Sequence, residues 1–393
     1  MIIKNVRLKN ADFTDIRIAE SRIVQIQTGL TANTGESVLD GEGMLVLPGF
    51  VDAHTHLDKS LLGRAWQPNR AGPTVPDRIR YERELLRSLD FDPQEQSERL
   101  VRHMSARGTT HIRTHVDIVP ECGLRHFEGV WETRERCRSF MDIQVVAFPQ
   151  LGVIGTPGTA DLLRDALVAG AEVIGGLDPI SIDRDPRGQL DLIFALAEEF
   201  DVEVDIHLHD RGEVGAITLE MIAERTAALS MGGKVSVSHA FCLGDAPPSR
   251  LEQLVELLLE NDIAIMTHGP SGGISSPPVR TLYERGVHVF SGSDGVRDAW
   301  GPLNTGDMLE RAFLVAYQNG FRDDEGLELA LDMATHAGAR RLDLSSYGID
   351  VGCVADMVLL RSSNPPEAVV AHPVREVVLK SGVIVARKGE CIV

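Results

Sequence analysis

Cysteine is scarce here and shows no paired pattern: the five residues, Cys122, Cys137, Cys242, Cys353 and Cys391, are scattered, and none forms a Cys-x-x-Cys. That argues against a thiolate zinc knuckle, and the odd number fits reduced thiols better than a disulfide framework. Long apolar runs are missing too. Nothing approaches the roughly 20 apolar residues of a membrane span, and the opening MIIKNVRLKN lacks the apolar core of a signal peptide. The expected location is cytoplasmic, with no membrane partner. Positive charge is in deficit, with 39 Lys and Arg against 58 Asp and Glu and a formal net charge of −19. Nucleic-acid binding depends on neutralising phosphate, so this balance argues against it. It argues equally against anionic membrane surfaces.

What is present is ordinary for a globular protein: 43% hydrophobic and 25% charged residues. The 393 residues exceed the roughly 250 of a simple (β/α)8 barrel. The excess has a natural home at the two ends. Ile2–Leu8, Asp15–Ala19, Arg22–Thr28, Ser37–Leu39 and Met44–Leu47 read as short strands. So do Ala355–Leu360, Val374–Leu379 and Val383–Ala386, the last two joined by a Ser381–Gly382 turn. Chain ends often lie close in space, so residues 1–48 with 345–393 are expected to form one small β-sandwich.

Residues 49–344 read differently. Eight short apolar runs alternate with helical stretches: Gly49–Ala53, Thr110–Val116, Ile143–Pro149, Val173–Gly176, Val202–Ile206, Lys234–Ser238, Ile263–Thr267 and Val287–Gly292. Between them lie segments of helical period, such as QLDLIFALAEE and LEQLVELLL. Strand–helix alternation predicts a parallel sheet with right-handed crossovers, and eight units predict closure into a (β/α)8 barrel.

The chemistry-bearing residues fall at the ends of these strands. His54 and His56 are two apart, hence on one face of a strand, and paired imidazoles suit a metal such as zinc or iron. His207, His239 and Asp294 sit at the tips of three further strands. A barrel brings such tips to one mouth, where active sites of this architecture lie.

These residues also carry a resemblance. PGFVDAHTHLDKSLLGRAWQPN, HIRTHVD, DIQVVAFPQLGVI, VDIHLHD, VSVSHA, FSGSDGVRDAWGPLNTGDML and YGIDVGCVADMVLL, spread from residue 48 to 360, resemble the amidohydrolase superfamily and, within it, the cytosine deaminase branch. The LDK after the paired histidines is similar to the branch acting on substituted s-triazines such as N-isopropylammelide. The resemblance implies one divalent transition-metal ion, zinc or iron, on His54, His56, His207 and Asp294. It implies that His239 orients the attacking water or the tetrahedral intermediate, and that Gln150 hydrogen-bonds the ring edge, with Trp300 and Asp298 beside the ring. Lys59 is a candidate donor to a ring oxo group, and Gln67, in a QPN segment, a further pocket candidate. A homo-oligomer is the family expectation.

The implied reaction is hydrolytic deamination of a nitrogen heterocycle, a pyrimidine, s-triazine or related cyclic amidine. A bound metal lowers the pKa of water to about 7, and the hydroxide attacks the amino-bearing ring carbon. Asp294 would relay the proton to the leaving amine. Cytosine deaminases carry a glutamate three residues after the fifth-strand histidine; here that position is Asp210, the expected ring-protonating acid, with Glu213 and His209 as alternatives. The fourth strand has no lysine, against a carbamate-bridged binuclear centre. Other readings are a mononuclear cyclic-amide hydrolase and a non-catalytic metal-binding barrel. Arg78–Arg87 reads as a charged amphipathic helix with a solvated face, and His115 as able to reach the pocket.

Overall fold

The computed structural model describes residues 1–9, 13–270 and 273–393. Its centre is a parallel sheet whose strands run Phe50–His56, Thr109–Asp117, Asp142–Phe148, Val173–Leu177, Glu203–His207, Val235–Ser238, Ile263–Thr267 and Val289–Ser291, each paired with the next in sequence. A ninth short segment, Asp294–Gly295, pairs in parallel with the first strand. Only Gly292 and Ser293 separate this segment from Val289–Ser291 at the other edge of the curled sheet. Gly292 permits this: an added Cβ would lie 2.4 Å from the His54 carbonyl oxygen. The strands match the sequence reading except at their ends, where several extend to include the polar tip residue.

Helices cover the sheet's outer face. Pro186–Phe200 starts at Asp185, which caps Gly188 N, with Pro186 in the first turn. The connection after the first strand is long and holds two helices, Val75–Ser88 and Pro93–Ala106. Thr74 and Asp77 form a capping box on the first of them. This helix buries only Ile79 and Glu82, and Glu82 points into the site described below. Arg78–Arg87 is the charged amphipathic helix expected from the sequence, but its buried side includes an acid, Glu82, beside Ile79.

The terminal segments build a second, mixed sheet. Leu45–Pro48 runs antiparallel to Met357–Leu360, and Ile2–Leu8 pairs in parallel with Leu45–Pro48 and with Val38–Asp40. Its central strands are buried on both faces. Met357 and Leu359 enter a small core with Ile3, Ile16 and Ile23, whereas Val358 and Leu360 join the main core against the helices. Period-two alternation thus divides neighbouring residues between two cores. Among the described residues no helix is long and apolar enough to cross a membrane.

Candidate active site

The C-terminal ends of the parallel strands open on a cavity of about 430 Å³. One wall is a cluster of imidazoles. The ligating atoms of His54, His207, His239 and Asp294 lie within 4.8 Å of one another, and so do those of His54, His56, His115 and His207. Asp294 Oδ1 is 3.6 Å from His54 Nε2 and 3.4 Å from His56 Nε2; His207 Nε2 is 3.4 Å from His56 Nε2. His54 Nε2, His56 Nδ1, His207 Nδ1 and His239 Nε2 are enclosed without a hydrogen-bond partner among the described residues. Buried polar atoms are rarely left so, and a cluster of them points to a site for an ion.

The surroundings keep this donor set in the form a metal needs. Burial holds His207 and His239 well below the usual imidazole pKa, with neighbouring rings adding to the effect. Burial alone would raise Asp294, but hydrogen bonds with His54 and His56 outweigh it and hold the carboxyl well below its usual range. Neutral imidazole and ionised carboxylate are the ligating states. A hydroxyl fixes one tautomer: Ser238 Oγ donates to Asp205 at 2.7 Å, so His54 Nδ1, 2.9 Å away, donates to Ser238. That leaves the His54 Nε2 lone pair facing the cluster, the outer-sphere support common around metal sites. The residues present fit a divalent metal ion.

Two of these residues carry backbone strain. His239 and Asp294 have φ of +71° and +59°, a region costing of order 1–3 kcal/mol per residue and found at functional sites. Asp294 is held by its surroundings. Thr55 Oγ1 donates to its carbonyl at 2.9 Å, and Ser293 donates to buried Asp52 from both N and Oγ.

The adjoining wall carries charge, with Asp117 and Asp58 within 4.8 Å of His56. Lys59 Nζ is 2.9 Å from Asp117 and 3.5 Å from Glu82, all three buried. Burial opposes the Lys59 charge, but Asp117, Glu82 and Asp58 outweigh it and hold its pKa above the usual value. Burial pushes Glu82 up to about 8, although Lys59 pulls the other way. Gln150 Nε2 donates to Glu82 at 3.3 Å. Asp298 accepts from the backbone of Trp300 and Gly301, and Gly295 makes room for it: an added Cβ would sit 1.7 Å from its Oδ2.

Of the residues singled out in the sequence, His56, His207, His239, Asp294, Lys59, Gln150, Asp298 and Trp300 face this cavity. His54 lies behind it, fully buried in the imidazole cluster. Gln67 does not line it and bonds instead to the Ala65 carbonyl. Asp210 does not line it either; one carboxylate oxygen is taken by Ser181. Glu213 is exposed and pairs with Arg250. His209 does line the cavity, stacked on His239 at 4.4 Å and held through Nδ1 by Asp178 at 2.8 Å. His115 is wholly buried behind the cavity against His54, its pKa lowered to about 3 by burial and by His54.

Sequence reasoning missed Glu82, Asp178, His126 and His268. His126 bonds Asp58 at 2.8 Å, and His268 lines the cavity beside His239. Their strands and helices carried no marking spacing; a lone buried acid in a charged helix is invisible without the packing.

Fold and site together define a parallel-sheet hydrolase with a His/Asp cluster able to hold a metal. The comparisons agree. Residues 37–386 match the model of an amidohydrolase family, and the chain belongs to that family. It is 34% identical to the N-isopropylammelide isopropyl amidohydrolase of Pseudomonas sp. (strain ADP), over 100% of this chain and 98% of that one. The crystal structure of N-isopropylammelide isopropylaminohydrolase from Burkholderia multivorans ATCC 17616 superposes with a TM-score of 0.96 and 45% identity, covering 100% of this chain and 99% of that one. A 5-methylcytosine deaminase from Klebsiella pneumoniae liganded with phosphonocytosine gives 0.88 and 25%, with coverage of 100% and 99%.

Proposed function

We propose that the protein hydrolyses the exocyclic C–N bond of a planar, oxo-bearing nitrogen heterocycle and releases ammonia or an alkylamine. An alkylamino-oxo-s-triazine of the N-isopropylammelide type is the leading substrate. The observation that carries this reading is the cavity itself. Asp294 and imidazole nitrogens without a hydrogen-bond partner among the described residues stand together with a buried lysine and an amide. The names of the two N-isopropylammelide relatives support the same substrate class.

His54, His56, His207 and Asp294 would hold one divalent ion, zinc or iron. Such an ion supplies a nucleophilic hydroxide near neutral pH and polarises the bond under attack. Asp294 takes a proton on the side of the attacking water and delivers it to the leaving nitrogen. His239, kept neutral by burial, donates to the oxygen that develops at the attacked carbon. Gln150 and Lys59 grip the ring edge, and Trp300 and Asp298 border it. The geometry favours His209, held by Asp178, over Asp210 as the polar group that faces the ring.

The architecture in this proposal is a (β/α)8 barrel over residues 49–344, with a small β-sandwich of 1–48 and 345–393. A cytoplasmic homo-oligomer completes it. The test is a screen of pyrimidines, pterins and s-triazines for ammonia or amine release, on protein of measured metal content. Turnover confined to open-chain amides or esters would refute the reading.

A further inference from the structure

A short relay of donors and acceptors fixes one amide in the cavity wall. Lysine can only donate, and Lys59 Nζ reaches Asp117 Oδ1 and Glu82 Oε1. The same Glu82 Oε1 lies 3.3 Å from Gln150 Nε2. An oxygen held by an ammonium group is an acceptor, so Gln150 must turn its NH2 toward it. The flipped amide would set two oxygens against each other at that distance. Protonation of Glu82 does not reverse this, because the proton would sit on Oε2, which is enclosed and partnerless among the described residues. Gln150 lines the cavity, and no described residue donates to its Oε1.

We propose that Glu82 is a positioning residue that makes Gln150 present its carbonyl oxygen to the cavity, so that the site selects rings bearing N–H at that edge, as an imide or lactam does, over rings offering a bare nitrogen lone pair. This deepens the function proposed above and rests on it for the ring chemistry. Lys59 completes the edge. One of its three donors goes to Asp117 and a second faces Glu82 in an ion pair at 3.5 Å, so a third is left for a ring oxo group, giving an acceptor and a donor side by side for O=C–N–H. Placing Glu82 there has a cost that packing alone does not justify: a buried carboxylate needs pairing, and Lys59 already has Asp117. Glu82 comes from the helix Val75–Ser88 in the long connection after the first strand, whose other residues, Ile79 apart, are not buried.

The test compares two symmetric rings by calorimetry on the metal-loaded protein. 1,3,5-Triazine-2,4,6-trione has N–H groups flanked by oxo groups; 2,4,6-trimethoxy-1,3,5-triazine has only lone pairs on its ring nitrogens. The wild type should bind the trione more tightly. Glu82→Leu frees the amide to rotate, and the preference should fall by about tenfold, the value of one hydrogen bond of this kind. Glu82→Gln retains an acceptor oxygen for Lys59 and Gln150 and should restore the preference, which a merely structural role would not require. A preference unchanged in Glu82→Leu, or a wild type that favours the trimethoxy ring, overturns the proposal. A crystal structure of the wild type with the trione gives a reading that no unstable variant can obscure: ring N–H on Gln150 Oε1 supports it, and a ring nitrogen on Nε2 overturns it. Failure of every heterocycle to release amine would overturn the proposed function instead, since the binding preference does not depend on turnover.

Discussion

The two walls of the cavity are both buried and polar, yet they solve that problem in opposite ways. The imidazole wall is left incomplete: four of its nitrogens, on His54, His56, His207 and His239, have no hydrogen-bond partner among the described residues. The lysine wall is closed on itself, with Lys59 set among Asp117, Glu82 and Gln150. Buried charge is tolerable when paired, and buried lone pairs when something occupies the space between them. The first wall therefore suits an ion, whereas the second pairs its charges within the protein and keeps a few directed groups for a ligand.

The largest expected effect breaks the first wall. His54→Ala should lose bound metal and turnover together, read by elemental analysis beside amine release. The wild type should carry about one ion per chain, as a site with one open position does. Two tightly held ions would contradict the contrast, because they would require a second incomplete cluster.

Breaking the second wall should cost stability first. Lys59→Met strands Asp117 and Glu82 in the interior, and loss of one partner of a buried pair is worth about 3–5 kcal/mol. Denaturant unfolding measures it. A loss below about 1 kcal/mol, the range of surface pairs, would mean that the network is open to water.

A smaller effect sharpens the comparison through pH. Burial raises Glu82 from 4.5 to about 8 in the folded protein, against Lys59, with Asp117, Asp298 and Asp58 adding to the rise. A raised folded pKa means that the folded state binds the proton more tightly. Its stabilising contribution is full below pH 4.5 and is lost as pH rises toward 8. Glu82→Gln should flatten the pH dependence of stability over that window. Identical slopes in the two proteins would show that Glu82 does not titrate there.

The smallest effect lies outside both walls. Gln67→Ala should leave kcat/KM within about twofold, since surface changes usually stay within about 0.5 kcal/mol. A larger loss would place the Gln67 segment at the substrate.

Much of this was legible in the chain. The paired histidines mark the first strand because period two puts both on one face. Val-Asp-Ile-His-Leu-His, Val-Ser-His-Ala and Ser-Gly-Ser-Asp mark three more strand ends. Terminal strands were legible because their alternation is strong, and the structure pairs Leu45–Pro48 with Met357–Leu360 across the length of the chain. Less legible was direction after a strand ends. Asp210 and His209 are adjacent in sequence, and a motif position pointed to Asp210. The backbone beyond His207 turns His209 into the cavity on Asp178 and leaves Asp210 on Ser181.

The sequence alone determined the order of strands and helices, the residues at the strand tips and the absence of a fourth-strand lysine, because these depend on local period and residue type. Only the tertiary structure decided which buried groups are satisfied. Glu82 sits on a charged amphipathic helix, where an acid reads as part of the solvated face, yet it meets Lys59 from the first strand's end and Gln150 from the third. His239 and Asp294 adopt left-handed backbone that no residue-type preference demands. Such choices arise where distant segments converge, since a hydrogen bond's direction and a carboxylate's charge depend on neighbours that the chain brings together only by folding.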